Sequence, residues 1–287
     1  MVGCVILNYN DSANTLSLLD EIKNYSAIGK IILVDNCSTD HSWAEIQKVK
    51  TAKIYVCRTE KNGGYGYGNN YGVKYAQKLG CDAVLIVNPD VHFTNELVEK
   101  LEAVLRIDKK VGVVSGIQLN SNNLEVTKTA WKIPGKIQYI FSTGVLLGKL
   151  ANNFYYKLED IHKEKKFSAE CVAGSLLMVS VSKFIKCGGY DEEMFLYCEE
   201  TTLGYKMRKL GYNTVVCSDV TYRHLHGASI QKSISSNVAK KKILLKSHHL
   251  FLKRYLKANK IELFLDSIVG KIVLAEEWLK ALVRRGR

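Results

Sequence analysis

Two adjacent carboxylates, Glu199 and Glu200, stand at the head of a predicted helix, directly after the glycine-containing turn at 188–192. Adjacent acids repel each other and are costly to remove from water. A pair beside aromatic and glycine residues therefore favours a site that uses negative charge. The alternative is a pair of helix-start acids that the helix dipole stabilises. The two interpretations are separated by the rest of the sequence.

Polar side chains also follow four predicted strands in succession. These segments are Asn8-Tyr9-Asn10, Asp35–Asp40, Asn62–Gly64 and Asn88-Pro89-Asp90. In a mostly parallel sheet the carboxyl ends of the strands lie along one edge, and ligands bind in the crevice outside that edge. Four polar loops delivered to one edge predict a binding site.

Asp35 ends a strand that we expect to be buried, where an unpaired carboxylate is costly unless it meets a donor such as a nucleobase N–H. The alternative is that Asp35 caps the next helix or forms the turn before it. Because Ser38-Thr39-Asp40 can supply that cap, Asp35 is left free, and base recognition is the favoured role.

The segment 62–72 contains five glycines between a predicted strand and a predicted helix. Glycine lets a backbone approach a ligand closely, and a helix N-terminus presents amides to phosphate. The segment has neither the GxxxxGK[ST] pattern of a P-loop nor GxGxxG directly after a strand. Taken alone it is a weak indication of nucleotide binding.

Asp90 follows a run, Ala83–Val87, that we expect to be fully buried. One carboxylate at a strand end can hold a divalent cation that it shares with a diphosphate. A Pro-Asp turn is the alternative, and it is favoured when the motif stands alone. His224, in the later segment Asp219–Ser229 that also contains His226, is a candidate second ligand, with a structural hydrogen bond as its alternative.

Short apolar runs alternate with amphipathic segments through the first 120 residues, which predicts a mostly parallel sheet covered by helices on both faces. The predicted strands are Val2–Leu7, Lys30–Val34, Lys53–Val56, Ala83–Val87 and Val111–Val114, and the predicted helices are Ser12–Tyr25, 40–49, 67–79 and 94–106. Residues 121–170 show no clean period, so a packed linker and an acceptor-side or lipid-facing element are both open there. An apolar run, Cys171–Val181, precedes the helix with the two acids.

The net charge of +13 is concentrated at the C-terminal end. Residues 1–120 carry 13 basic and 13 acidic side chains, whereas residues 238–287 carry 13 and 4. Nucleic-acid binding needs lysines and arginines clustered on the working face, so the neutral first 120 residues argue against a nucleic-acid partner.

The eight cysteines form no CxxC pair, and several lie inside apolar runs. This favours buried, reduced thiols in a cytoplasmic protein over disulfides or a zinc site. We also expect no signal peptide, because no basic segment precedes the first apolar run, and no membrane-spanning helix.

Taken in order, these residues resemble the family 2 glycosyltransferases, most closely the rhamnosyltransferase-like branch of bacterial surface-polysaccharide synthesis. The matching elements, which span residues 2–230, are Val5–Asn10, Ile32–Asp40, Asn62-Gly63-Gly64, Gly68–Gly72, Leu85–Val91, Gly174–Met178, Gly188–Glu192, Phe195–Glu200 and His224 placed five residues before Ser229. The resemblance implies a GT-A fold and inverting transfer from a nucleotide-diphosphate sugar, UDP- or dTDP-linked, to a saccharide or lipid-linked acceptor. It also implies Mn²⁺ or Mg²⁺ as cofactor.

Carried over by position, the resemblance makes Glu200 the general base, with Glu199 as its supporting neighbour, and makes Asp90 and His224 metal ligands. The residues assigned to the donor are Asn8, Tyr9, Asn10, Asp35, Asn36, Ser38, Asn62, Gly63, Gly64, Asn70, Asn88 and Asp90, and those assigned to the acceptor side are Gly174, Ser175 and Asp191. Three positions depart from the family pattern. Asn88 replaces the first acid of the DxD-like signature, which weakens the expected metal binding, and Glu200 and Thr202 stand where the family usually has Asp.

We divide the chain into a GT-A catalytic domain, residues 1–237, and a basic helical tail, residues 238–287. Within the domain, residues 1–120 form the nucleotide-sugar-binding half and residues 121–237 the acceptor and catalytic half. The tail has apolar residues at heptad spacing, namely Ile261, Leu265, Ile268, Ile272, Ala275, Leu279 and Leu282. Three roles stay open for it: docking on the domain, a homodimer contact, or an interfacial helix that holds the enzyme peripherally at the inner face of the plasma membrane.

Two rival functions also stay open. A sugar nucleotidyltransferase shares a related nucleotide-binding sheet, but the chain lacks the early glycine- and arginine-rich loop of those enzymes. A catalytically inactive nucleotide-sugar-binding homologue is compatible with Asn88 and Thr202.

Overall fold

The computed structural model describes residues 1–144, 148, 151, 154–225 and 236–285. Within these ranges, nine strands build one mixed sheet, and helices cover both of its faces. The expected α/β class, with a mostly parallel sheet and a C-terminal helical segment, is confirmed.

The strands are β1 (Val2–Asn8), β2 (Lys30–Asp35), β3 (Ile54–Arg58), β4 (Ala83–Val87), β5 (Val91–His92), β6 (Val111–Leu119), β7 (Ala130–Trp131), β8 (Lys166–Ala169), β9 (Cys171–Val172), β10 (Leu176–Ser180) and β11 (Asn213–His224). The helices are α1 (Ser12–Ile22), α2 (Ser42–Ile46), α3 (Tyr65–Lys78), α4 (Asn95–Ile107), α5 (Lys136–Ser142), α6 (Leu158–Ile161), α7 (Val181–Lys186), α8 (Glu199–Lys209), α9 (Asn237–Arg254) and α10 (Lys260–Arg285). A 3₁₀ turn, Gln47–Val49, follows α2.

The large sheet has the strand order β3-β2-β1-β4-β10-β6-β11-β5, and β8 pairs with β11 outside this path. Strands β1 to β4 pair in parallel, as do β6 and β11, whereas β10 runs antiparallel between β4 and β6. Leu176, the first residue of β10, therefore lies opposite Val87, the last residue of β4. The loop before β10 consequently reaches the same edge of the sheet as Asn88 and Asp90.

The strands are apolar on both faces because helices cover both faces. In β2, Ile31 and Leu33 pack in the cluster that contains α1, α2 and α4, whereas Ile32 and Val34 pack in the cluster that contains α3, α7 and α8. Continuous apolar runs, rather than alternating ones, are what such a three-layer arrangement requires. This packing fixes the carboxyl edge on which the polar loops lie.

A third apolar cluster attaches the C-terminal helices to the rest of the chain. It combines Phe251 of α9, Val269 and Val273 of α10, Tyr139 of α5 and Met194 from the loop before α8. One face of the tail is therefore docked on the domain, as one of its three expected roles requires. None of the helices in the described ranges is long and apolar enough to cross a membrane.

Candidate functional site

The ends of β1 and β2 share one hydrogen-bonded network. The Asn8 amide donates to the Asp35 carboxylate at 2.9 Å and to the Ser38 hydroxyl at 3.1 Å. The Ser38 hydroxyl also accepts the Asn10 backbone N–H at 3.0 Å, and the Asn10 side chain accepts the Thr39 backbone N–H at 2.8 Å. Four residues that the sequence assigned to the donor are therefore brought together at the carboxyl edge.

Asp35 is fully buried and already has several partners. Besides Asn8, its carboxylate accepts the Ser38 backbone N–H at 3.1 Å and lies 3.1 Å from the Arg58 guanidinium. The expectation that capping by Ser38-Thr39-Asp40 leaves Asp35 free is wrong, because Asp35 makes the turn bond to Ser38 itself. Three of about four acceptor positions on the carboxylate are used, which leaves about one for a base N–H.

Arg58, at the end of β3, was missed in the sequence analysis. Its guanidinium pairs with Asp35, donates to the Ser38 carbonyl at 2.9 Å and lies over the Trp43 ring at 5.4 Å. A lone charged residue that ends an apolar strand at the ligand edge was the signal available for it. Arg58 balances the buried charge of Asp35, because an unpaired buried carboxylate is costly.

The glycine-rich turn is fastened to this network by Asn36. The Asn36 amide donates to Asn62 Oδ1 and to the Gly64 carbonyl, both at 3.0 Å. Gly64 has φ +91°, and a Cβ there would lie 2.0 Å from the Phe195 carbonyl oxygen. A Cβ on Gly66 would lie 2.9 Å from the Tyr190 Cβ. At these two positions the close approach that glycine permits is to the protein's own loop, not to a ligand as the sequence suggested.

Asn70, which the resemblance assigned to the donor, contacts the loop that begins at Tyr190. Its amide nitrogen donates to the Tyr190 carbonyl at 3.0 Å and to Glu192 at 2.9 Å, while its oxygen accepts the Tyr190 backbone N–H at 2.9 Å. Both amide protons are thus used within the protein. The assignment of Asn70 to the donor is therefore corrected, because the side chain holds the loop that leads to the two acids.

A second network joins Asp90 to Ser175, which the resemblance assigned to the acceptor side. His224 Nε2 lies 3.1 Å from Asp90 Oδ1, and His224 Nδ1 lies 3.4 Å from the Gln118 amide nitrogen. Gln118 Oε1 accepts the Ser175 hydroxyl at 3.2 Å, and Ser175 lies 3.0 Å from the Tyr222 hydroxyl. Gln118 was missed, although a polar residue inside the buried run of β6 was a signal for it.

The Asp90–His224 pair fits a divalent cation by its chemistry. Both side chains are largely buried, and a carboxylate with an imidazole is a donor set that Mn²⁺ accepts. Such cations often take only one or two protein ligands and complete their shell with substrate phosphates and water. Over the described residues there is no group of three or more His, Cys, Asp or Glu side chains that could hold a metal. His226 and Ser229 lie outside the described residues.

The two acids begin α8 after a strained connection. Tyr197 and Cys198 both have positive φ, +73° and +67°, a region that non-glycine residues seldom occupy. Glu199 is buried, and Glu200 is half-buried. A Cβ on Gly174 would lie 2.4 Å from Glu200 Oε1, so the Glu200 carboxylate rests directly against the loop before β10. The two predicted site residues Gly174 and Glu200 are therefore in contact.

The two carboxyl groups have unequal environments. Burial, and then the charge of Glu200, raise the pKa of Glu199 well above its usual range. No other described residue hydrogen-bonds Glu199 Oε1. Burial also raises the pKa of Glu200, although the backbone N–H groups of Glu200 and Gly174 oppose this. Glu199 is thus suited to hold a proton while Glu200 carries the charge.

Replacing Glu199 by Gln is expected to stabilise the folded protein at neutral pH. With a raised pKa in the folded state, Glu199 keeps a proton that the unfolded chain has lost, so its contribution to stability falls as pH rises above about 4.3. Gln resembles the protonated acid and does not titrate. We expect a gain in Tm on the order of 2–4 °C at pH 7, the shift that about 1 kcal/mol produces, and no gain near pH 4.

Thermal unfolding across this pH range checks the prediction, with the exposed Glu60→Gln as the matched control. A Tm gain that is independent of pH, or one that Glu60→Gln also gives, would contradict it.

The loop 190–198, which ends at the two acids, is held by the tail. Arg254 lies 2.8 Å from Asp191 and 2.6 Å from Glu193, and the Tyr255 hydroxyl donates to Asp191 at 2.7 Å. Burial raises the pKa of Asp191, but the hydrogen bonds from Tyr255 and Arg254 outweigh it and lower the pKa overall. Asp191, expected on the acceptor side, thus has its charge directed to the tail, which corrects that assignment.

Further contacts extend this support to the end of the loop. The Ser247 hydroxyl donates to the Leu196 carbonyl at 2.8 Å, and the Tyr139 hydroxyl lies 3.0 Å from Cys198 Sγ. His248 stacks on the Tyr139 ring at 3.7 Å. On the opposite side, the Phe195 carbonyl accepts the Tyr65 N–H at 3.0 Å. The loop is therefore clamped between the glycine-rich helix start and the tail.

Thr202, where the resemblance leads one to expect Asp, is fully buried. Its hydroxyl donates to Met194 Sδ at 3.3 Å. A neutral side chain suits this site, since a carboxylate beside a thioether would be buried without a donor.

Comparison with known proteins places these features in a family context. The model of the family described as glycosyl transferase family 2 matches residues 4–184. The match includes Asn8, Asp35, Asp90 and Gly174, and ends before Glu200.

Two curated relatives are similar over most of the chain. The low-salt glycan biosynthesis hexosyltransferase Agl10 of Haloferax volcanii is 25% identical over 226 residues, which are 78% of this chain and 66% of the relative. The N-acetylglucosaminyl-diphospho-decaprenol L-rhamnosyltransferase of Mycobacterium tuberculosis is 24% identical over 220 residues, which are 73% of this chain and 70% of the relative. The chain thus spans about two thirds of the length of these relatives.

A solved structure of GalNAc-T7 with UDP, GalNAc and Mn²⁺ superposes with a TM-score of 0.62. The likeness covers 88% of this chain and 47% of that one, at 14% identity. At this identity the comparison bears on the fold alone, and it confirms the expected arrangement of the sheet and helices.

Proposed function

The chain belongs to glycosyl transferase family 2, and we propose that it moves a sugar from a nucleotide-diphosphate donor to an acceptor hydroxyl with inversion at the anomeric carbon. One observation carries the proposal: a single sheet edge gathers the network around Asp35, the Asp90–His224 pair and Glu200 against Gly174. A nucleotide, a diphosphate and an acceptor hydroxyl would need these three kinds of group. The names of the two relatives favour a hexosyl or deoxyhexosyl donor. That the donor is UDP- or dTDP-linked is the part of the proposal that rests on the family resemblance.

In this mechanism Glu200 is the general base. Its carboxylate accepts the proton of the acceptor hydroxyl as that oxygen attacks the anomeric carbon from the face opposite the leaving diphosphate. The half-buried position of Glu200 allows contact with an acceptor, whereas Glu199 is buried. Its raised pKa brings Glu200 nearer to neutral pH, where a base is both ionised and able to take a proton.

Asp90 and His224 would hold Mn²⁺ or Mg²⁺. When bound, such a cation supplies positive charge that stabilises the leaving diphosphate. The contact of His224 with Gln118 orients the imidazole so that Nε2 faces Asp90. On the nucleotide side, Asp35 would accept a base N–H with its remaining acceptor position once the network that buries it opens, because the carboxylate has no accessible surface in this structure.

We place the reaction in the cytoplasm, at the inner face of the plasma membrane, in the synthesis of a cell-surface polysaccharide. The acceptor class is a saccharide or a lipid-linked saccharide. The decaprenol-linked substrate in the name of the mycobacterial relative supports the second of these. Because the tail packs on the domain, we include residues 238–285 in the catalytic unit of the proposed enzyme.

A panel of UDP-, dTDP- and GDP-sugars tests the proposed function. With Mn²⁺ present, we expect one donor class to raise Tm and to be hydrolysed slowly to the nucleoside diphosphate. Formation of a nucleoside triphosphate from the sugar nucleotide and pyrophosphate would identify a nucleotidyltransferase instead. Binding without hydrolysis or transfer would identify an inactive homologue.

Replacing Arg254 by Gln is expected to lower kcat about tenfold with little change in the donor KM. The change leaves Asp191 buried without its cation and loosens the loop that ends at Glu200, and small displacements of a catalytic group are costly. Steady-state transfer kinetics measure the effect. Lys253→Gln, an exposed change on the same helix, is the matched control. Equal kinetics for the two variants would show that the clamp does not position the base.

A further inference from the structure

Helix α10 has two apolar faces, and the described parts of the chain, residues 1–144, 154–225 and 236–281, cover one of them. Val269 and Val273 pack in the third apolar cluster. The other face exposes six large apolar side chains, each between 40% and 79% accessible: Ile261, Phe264, Ile268, Ile272, Trp278 and Leu279. From Ile261 to Leu279 this exposed face runs for about 27 Å along the helix. Leu282, the last residue of the predicted stripe, lies outside the described side chains.

The exposure of this face is fixed by the docking of the opposite face. Asp266 is buried and lies 2.7 Å from His249 Nδ1 and 3.3 Å from His248 Nδ1, both on α9. Lys136 of α5 lies 3.0 Å from Glu262. Because these contacts and the apolar cluster set the rotation of α10, its uncovered face points away from the domain. Exposed apolar patches of this extent on a soluble surface indicate a partner.

We propose that the exposed face of α10 docks on an anionic lipid bilayer. Residues 238–287 carry 13 basic and 4 acidic side chains, and Lys260 and Lys271 are exposed on the side of α10 that carries these apolar residues. An apolar helix face with aromatic residues and flanking lysines is the composition of an interfacial helix. Each lysine held near an anionic surface strengthens binding by about fivefold.

Lys271 distinguishes a lipid surface from a second copy of the chain. It lies on the exposed face, one turn from Ile268 and next to Ile272. In a self-paired seam, Lys271 of each copy would lie in an apolar contact, where its charge is costly to desolvate. At a bilayer the same side chain extends its ammonium group to the lipid phosphates while its stem stays in the apolar layer.

Helix α10 is also connected, through α9, to the loop 190–198 that ends at the two acids. Helix α9, which packs against α10, donates from Ser247 to the Leu196 carbonyl and pairs Arg254 with Asp191. A bilayer bound to α10 would therefore lie at a fixed distance and orientation relative to Glu200. Resting on the proposed transfer function, this favours a lipid-linked saccharide as acceptor over a free one.

Vesicle flotation with the full chain tests the docking surface. We expect flotation with vesicles that contain phosphatidylglycerol and at least tenfold weaker binding to phosphatidylcholine alone. The triple variant Phe264→Gln, Ile268→Gln, Trp278→Gln should bind the anionic vesicles at least tenfold more weakly. The control triple Ile107→Gln, Leu124→Gln, Leu210→Gln removes three apolar side chains of similar exposure that lie on other elements, and it should bind like the wild type. Lys271→Glu should weaken binding more than Lys109→Glu, an exposed lysine on the domain.

Three results would overturn the proposal. The first is a wild type that does not float, and the second is a Phe264/Ile268/Trp278 triple variant that floats as well as the wild type. The third is a wild-type dimer that this triple variant converts to a monomer without any vesicle binding, which would assign the face to a second copy. Donor hydrolysis in vesicle-free solution, with Tm as the folding check, is measured alongside. Its loss in every protein would count against the proposed function and not against the docking surface.

Discussion

Replacing Glu200 by Gln is expected to lower the rate of sugar transfer by two to four powers of ten, roughly the usual contribution of general-base assistance. Gln keeps the size of the side chain and its fit against Gly174, where a Cβ would lie 2.4 Å from Glu200 Oε1. It cannot accept the proton of the acceptor hydroxyl. Nucleotide-sugar affinity, which depends on the edge around Asp35 and Asp90, should stay within about threefold. Transfer kinetics and calorimetric titration of the donor measure the two quantities separately.

Glu199→Gln is the matched control for this prediction. Glu199 is buried, and burial raises its pKa well above the usual range. An amide resembles the protonated acid, so Glu199→Gln should keep activity within about tenfold of the wild type. If Glu199→Gln were inactive and Glu200→Gln active, the roles of the two acids would be exchanged. If both stayed active, neither acid would be the base.

The pH dependence of kcat gives a second measure of the role of Glu200. A base works only when ionised, so activity falls as pH drops through its pKa. Because burial raises the pKa of Glu200, the acid limb should lie above the usual glutamate value of about 4.3. Burial raises the pKa of Glu199 well above its usual range, and Gln resembles the protonated acid, so Glu199→Gln should leave the acid limb of the profile nearly in place. A large downward shift in that variant would indicate that Glu199 carries charge beside the base.

The edge of the sheet could be predicted from the sequence because parallel strands deliver their polar ends to one side. Asn8, Asp35 and Asp90 each follow a continuous apolar run, and the structure places all three at the carboxyl edge. The pairing of Asp90 with His224 was expected on the resemblance, and the two side chains lie 3.1 Å apart. The succession of continuous apolar runs and short polar loops along the chain carried this information, which needs no knowledge of distant contacts.

Contacts between segments far apart in the chain could not be predicted in the same way. The run Cys171–Val181 is two strands, and the second is inserted antiparallel between β4 and β6, so that Gly174 faces Glu200. No local period distinguishes a parallel from an antiparallel neighbour in a buried strand. The residues of the segment were expected on the acceptor side, but the reason for glycine at 174 appears only in three dimensions.

The tail is the clearest case of information that the sequence pattern lacked. A heptad stripe indicates that a helix has an apolar face, but not which partner covers it. The structure divides the pattern between two faces: Val269 and Val273, outside the predicted stripe, are buried, whereas Ile268 and Ile272, within it, are exposed. Arg254 and Asp191, which form an ion pair in the structure, are 63 residues apart in the chain. In the sequence, each of them alone resembles an ordinary surface charge.

Replacing Asp90 by Asn is expected to weaken Mn²⁺-dependent donor binding by at least tenfold. The change keeps the shape of the side chain and its contact with His224, but removes the negative charge that a divalent cation prefers in its oxygen ligands. Donor titrations with Mn²⁺ and with a chelator measure the effect. The wild type should lose most of its donor affinity with the chelator, and the variant should lose little, because its cation site is already weak.

Asn88→Asp is the matched change in the opposite direction. It adds the first acid of the family's DxD-like signature on the short loop after β4, two residues from Asp90, and should lower the Mn²⁺ concentration needed for half-maximal donor binding. The backbone N–H of Asn88 donates to the Ser175 carbonyl at 2.9 Å, which holds residue 88 at this edge of the sheet. The new carboxylate would therefore lie at the same strand end as Asp90. If Asn88→Asp has no effect and Asp90→Asn is equally neutral, the Asp90–His224 contact is a structural hydrogen bond. If only Asn88→Asp is neutral, a site with one carboxylate and one imidazole is sufficient, and the missing first acid is a tolerated departure rather than a sign of lost activity.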